Sequence, residues 1–144
     1  MRRSSVIHSV FYSQPNLSQI LSRGFSSSDF APVQAAAQKF ILLAQQVKQK
    51  QEHLDNDSTA ALTALNTQLR NVEESFLAEQ GLPNRPWFKH TIYAPGEYTG
   101  YAAVVIPGVN EALDAKDLPR AQQQMTVLTD AINRANAVLE GAAK

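Results

Sequence analysis

Leu62, Leu65, Leu69, Val72 and Phe76 recur at spacings of 3, 4, 3 and 4 residues. That rhythm returns to one side of an α-helix and to neither face of a strand, so the segment requires a helix with a single apolar stripe. A second stripe runs through Ala121, Met125, Leu128, Ile132, Ala135 and Leu139. Stripes of this kind are stable only when covered, either by one another or by a partner. The chain must therefore fold as a helical bundle, with these residues as core seam or as dimer seam.

The rest of the chain fits that constraint. "DFAPVQAAAQKFILLAQQVKQKQEHLDN", from Asp29, places Val33, Ala36 or Ala37, Phe40, Ala44, Val47 and Leu54 on one helical face. Asp29 or Ser28 can cap this helix, and Pro32 falls in its first turn, where a missing N–H costs nothing. "DNDS" at 55–58 reads as a turn and a new cap, and Gly81 as the left-handed stop of the second helix. Asp117 caps the last helix, Pro119 opens it and Gly141 ends it, with a short helix over Val109 to Ala115 before it. The expected fold is all-α: three long helices and a short one.

Residues 82–108 do not fit a simple bundle. They hold four prolines and no helical period. Unstructured connections beyond about 12–15 residues are uncommon unless they carry function. "WFKHTIYA" alternates as an extended run, Pro95-Gly96 suits a type II turn, "YTGYAAVVI" extends again, and Pro107-Gly108 launches the short helix. The expectation is an ordered loop anchored by Trp87, Phe88 and Tyr93 against the open side of the bundle.

"GLPNRPWFKHTIYAPGEYTGYAAVVIPGVNEALDA", with the preceding "LNTQLRNVEESFLAEQ", resembles the C-terminal dimerisation domain of the transferrin-receptor and glutamate-carboxypeptidase II family. The likeness lies in Gly-Leu-Pro-x-Arg-Pro, an aromatic pair, a basic residue and His. Ile-Tyr-Ala-Pro, a five-residue spacer, Tyr-Ala and Pro-Gly follow in the same order. It covers about residues 29–142. The resemblance implies a helical bundle that follows a zinc-peptidase domain, forms a homodimer and extends its long loop toward the peptidase pocket. In glutamate-preferring relatives a Lys-Tyr pair of this loop helps hold the substrate's terminal glutamate. Here the matching positions are Gly100 and Tyr101. The cationic half of that grip is missing, and a phenol alone forms the weaker bond to a carboxylate. For Tyr101 by itself, packing within the loop is the simpler role.

Composition narrows the chemistry. The net charge is zero, which gives no electrostatic case for nucleic acid. No apolar run approaches the roughly 20 residues of a membrane span. The absence of cysteine excludes thiolate metal sites, disulfides and a cysteine nucleophile. His8, His53 and His90 are the three histidines, and no two stand at ligand spacing. Neither a G-x-S-x-G turn nor a glycine-rich phosphate loop occurs. No catalytic residue, metal or cofactor is expected.

The segment before Asp29 differs from the rest. It holds Arg2, Arg3 and Arg23 and no acid, whereas residues 29–144 carry thirteen acidic and ten basic groups. Arginine, serine and short apolar faces such as Val6, Ile7, Val10 and Phe11 make residues 1–28 a candidate mitochondrial transit peptide, with "RGFS" as a processing site after Phe25. A disordered extension or a misplaced gene start is the competing account. Three functions fit these observations. The chain is a non-catalytic dimerisation module, with a homodimer and a zinc-peptidase domain as the expected partners; or the tail of a carboxypeptidase separated from its catalytic part; or a small mitochondrial helical protein with a new role.

Overall fold

The computed structural model describes residues 25–54, 58–98 and 100–144. In chain order the elements are α1 (Ser27–His53), α2 (Thr59–Glu74), β1 (Tyr93–Pro95), β2 (Ala103–Val105), α3 (Pro107–Asp114) and α4 (Leu118–Ala143). The architecture is all-α, with one antiparallel two-stranded ladder that pairs Tyr93 with Val105 and Pro95 with Ala103. The presequence expected at residues 1–25 lies, apart from Phe25, outside the described residues, as do the turn residues Asp55 to Asp57.

α4 forms the axis of the bundle, and α1, α2 and α3 all pack on it. Its stripe explains why. Ala121, Met125, Leu128, Ile132, Ala135 and Leu139 are all buried, and the alanines let neighbouring backbones come close. Val47 of α1 with Leu65 and Val72 of α2 close over Ala135 and Leu139. Ala36 meets Leu128 and Ile132. Val109, Ala112 and Leu113 of α3 cover Ala121 and Met125 at the other end. Leu62 and Leu69 complete the α2 stripe and Phe76 lies just beyond the helix end; all three are only half-buried. Asn136, buried on α4, donates from Nδ2 to the Ala36 carbonyl at 3.0 Å and fixes the register of α1 on α4.

The helix ends depart from expectation in three places. The cap of α1 is Ser26, not Asp29 or Ser28. Asp29 stands at the third helical position and accepts the Ser26 backbone N–H at 2.7 Å, the reciprocal half of a capping box. As a result Phe25 enters the domain and packs in the core beside Leu113 and Met125, four residues before the boundary suggested by composition. At the far end, α4 runs through Gly141 to Ala143. Gly141 has open space around it and a helical backbone, so nothing there forces a stop.

The largest departure is at α2, which ends at Glu74 and not near Gly81. Residues 76–82 leave the helix because they find better partners. Ala78 N–H donates to Lys89 O at 2.8 Å, Leu82 N–H to Phe88 O at 2.8 Å, and Thr91 N–H to Phe76 O at 3.0 Å. The outgoing and returning chains thus zip together. Arg134 of α4 covers the freed carbonyls of Ser75 and Leu77 at 3.0 and 3.1 Å. Gly81 does take a left-handed φ of +71°, but for the tight turn of this zipper. A Cβ there would stand 2.1 Å from the Pro86 carbonyl oxygen.

Candidate interaction site

Because α1 and α2 lean on α4 more than on each other, a trough stays open between them. Ile132 of α4 forms its floor, Ala37, Phe40 and Ile41 of α1 one wall, and Phe76 the other; His90, Ile92 and Tyr93 of the loop close one end. The space is about 370 Å³. Its lining is almost wholly apolar, with Glu73 at the rim. On α1, Ile41 and the adjacent Leu42 are 55% and 61% exposed. An apolar surface of this kind marks a contact site more often than a free one.

The end wall is stiff. His90 Nδ1 accepts the Ile92 backbone N–H at 3.2 Å, so that nitrogen carries no proton, and Nε2–H is left to donate to Glu73 Oε1 at 3.1 Å. The Tyr93 ring lies 4.0 Å from the His90 ring, and its hydroxyl donates to the same Glu73 oxygen at 3.3 Å. Phe76 sits between His90 and Phe40, with centroids 6.1 and 5.9 Å away. Both His90 nitrogens are therefore engaged. His53 points elsewhere, donating from Nδ1 to the Gln49 carbonyl at 2.6 Å.

Behind this wall the loop is held by buried charge. Arg85 Nη2 donates to both carboxylate oxygens of Glu111 on α3, at 2.9 and 2.8 Å, and both side chains are buried. Glu111 Oε1 also accepts the Glu97 backbone N–H at 2.8 Å. The Glu97 carboxylate accepts from Asn84 Nδ2 at 2.7 Å and Arg120 Nη2 at 3.1 Å. The Asn84 hydrogen bond, followed by Arg120, holds the Glu97 carboxyl below the usual glutamate range. This network ties the root of the hairpin to α3 and α4.

Tyr98 and Tyr101 are exposed, Tyr101 fully so, next to Gly100 in a left-handed turn. Tyr101 therefore does not pack within the loop. Trp87 and Tyr93 are likewise not buried anchors, being 70% and 52% exposed. Only Phe88 of the three is half-buried, against the Trp87 ring at 6.2 Å. The physical reason is that the backbone zipper and the Arg85–Glu111 pair hold the loop, which leaves the Trp87 ring to face outward, while Tyr93, though exposed, is held by His90 and Glu73. Ile41 and Ile92 were missed as site residues. The signal for Ile41 was "FILL" at 40–43, an apolar run too wide for one buried stripe.

Among the described residues, no three His, Cys, Asp or Glu side chains lie together as metal ligands. No described helix is long and apolar enough to cross a membrane. The arrangement offers surfaces for contact, one a trough and one an aromatic hairpin tip.

Comparison with known proteins agrees with that geometry. The chain is 35% identical over 118 residues to a probable glutamate carboxypeptidase of Arthroderma benhamiae, covering 80% of this chain and 16% of that protein. It is 38% identical over 84 residues to a probable glutamate carboxypeptidase of Arabidopsis thaliana, covering 54% of this chain and 12% of the relative. An inactive zinc metalloprotease of Schizosaccharomyces pombe matches at 35% over 75 residues, 52% of this chain and 9% of its own length. The chain thus spans 16% or less of each of these relatives. The profile of the transferrin receptor-like dimerisation domain matches residues 28–140, and the chain belongs to that family.

Proposed function

We propose that this domain joins two copies of the chain into a homodimer and contributes no peptidase chemistry of its own. The observation that carries this reading is the apolar trough beside Ile41 and Leu42, left open in a member of a dimerisation-domain family. The His90–Tyr93 wall closes one end of the trough, and burying that surface against a second copy stabilises the pair by roughly 25 cal/mol per Å² of apolar area. A dinuclear zinc centre needs converging carboxylate and imidazole ligands, so peptidase activity would have to come from other segments of a longer protein.

The hairpin tip favours a second contact, with a zinc-peptidase domain like those of the longer relatives. Tyr98 and Tyr101 project from a root fixed by Glu97 and Glu111. A rigid root with a fully exposed aromatic tip suits insertion into a neighbour's cleft. Tyr101 would offer a phenol to a substrate carboxylate there, without the lysine that grips it in glutamate-preferring enzymes.

Co-expression of two differently tagged copies of the full chain tests the homodimer. Purification through one tag should bring down the other at comparable yield. Recovery of singly tagged chain alone would refute the reading.

A further inference from the structure

The outer strip of α1 has a second property besides Ile41 and Leu42. From residue 31 to residue 46 its exposed side chains are Ala31, Pro32, Gln34, Ala35, Gln38, Lys39, Ile41, Leu42, Gln45 and Gln46. Lys39 is the one charge among them, and it is neutralised by Glu140 of α4 at 2.6 Å. The strip runs for about 24 Å along the helix, given its rise of roughly 1.5 Å per residue. Charge depletion around exposed aliphatic residues is the composition of an interface core.

Neutrality also says what kind of partner fits. Both halves of a twofold interface carry the same surface, so a strip with net charge would face the same charge across the axis. A partner selected by electrostatics would find no cation or anion to read. We infer that the homodimer forms by α1 crossing α1 of a second copy, with Leu42 of each chain entering the trough of the other past Ile41. This rests on the homodimer reading above and adds the surface and its geometry. Shape supports it: the trough has the volume of about twelve waters, Ile41 lines its wall, and Leu42, the next residue of the helix, is exposed. The glutamines on either side, Gln38 and Gln45, can donate to and accept from their own counterparts without a charge clash.

The chain has no cysteine, which makes single-cysteine cross-linking unambiguous. In the full chain, Leu42→Cys and Gln38→Cys should be joined into dimers by a short bis-maleimide cross-linker, while Thr126→Cys on the exposed face of α4 should not. Leu42→Glu should weaken self-association by about thirtyfold or more in sedimentation equilibrium, the loss typical of a central contact residue. Trp87→Glu, at an exposed ring outside the trough, should change it less than about twofold. Far-UV circular dichroism and melting confirm that each variant is folded. Dimers that survive Leu42→Glu, or cross-linking no better at position 42 than at position 126, would overturn this surface and leave the homodimer standing. A wild-type chain that stays monomeric would overturn both.

Discussion

Replacing Arg85 by methionine should be among the most damaging single changes outside the core. Arg85 and Glu111 are both buried, and one nitrogen, Nη2, makes both hydrogen bonds between them. Arg85→Met keeps much of the side-chain volume but leaves the Glu111 carboxylate buried with only the Glu97 N–H at 2.8 Å to stabilise it. Removing one member of a buried pair costs about 3–5 kcal/mol. That is a large part of a domain stability of roughly 5–15 kcal/mol, and it should lower Tm by about 10 °C or more. Removing the charge altogether should be milder. In Arg85→Met/Glu111→Met the remaining loss is mainly the stranded Glu97 N–H, about 1–3 kcal/mol. Urea unfolding at pH 7 measures both. A single-variant loss under about 1 kcal/mol, or a double variant no milder than the single, would refute the argument that this pair holds the loop.

Gly81→Ala should destabilise by at least about 2 kcal/mol, because a left-handed alanine costs roughly 1–2 kcal/mol and its Cβ collides with backbone; a neutral effect in thermal melting would contradict the zipper turn. Leu65→Ala, at a buried stripe position, should cost about 2–5 kcal/mol, and Asn66→Ala beside it under about 0.5 kcal/mol; equal effects in urea titration would mean that the phase of α2 is wrong. Glu97 has a folded pKa below its unfolded value, so its contribution is complete above about pH 4.3 and is lost as pH falls through the folded value. Glu97→Gln should therefore flatten the acid limb of the stability profile below about pH 4.3, and an unchanged limb would show that Asn84 and Arg120 do not hold the carboxylate.

What the sequence made legible was the part governed by local periodicity. The α4 stripe, its Asp117 cap, donating partner Arg120 N–H at 3.1 Å, and Pro119 in its first turn all follow from spacing and residue type. The existence of an ordered connection over 82–108 also followed, from its length and its prolines. The end of α2 did not, since Ser75 to Gln80 have acceptable helical propensity. Only pairing with Lys89 and Thr91, ten or more residues later, draws them out of the helix. Arg85–Glu111 was hidden for the same reason, its partners lying 26 residues apart. Ile106 adopts a left-handed φ of +48° at the start of α3, a conformation no propensity assigns to a β-branched residue. It is held there by its N–H bond to Ile92 O at 2.7 Å and by packing on the core. Aromatic identity marked Trp87 and Tyr93 as anchors of the loop, without showing that both rings stay exposed.

The central claim is that the domain self-associates, and the mass of the full chain in solution tests it most directly. Sedimentation equilibrium across about 1–100 µM should give a single monomer–dimer equilibrium, approaching twice the chain mass of 15.8 kDa at the upper end. A mass that stays at one chain throughout that range, with cooperative unfolding intact, would contradict the account.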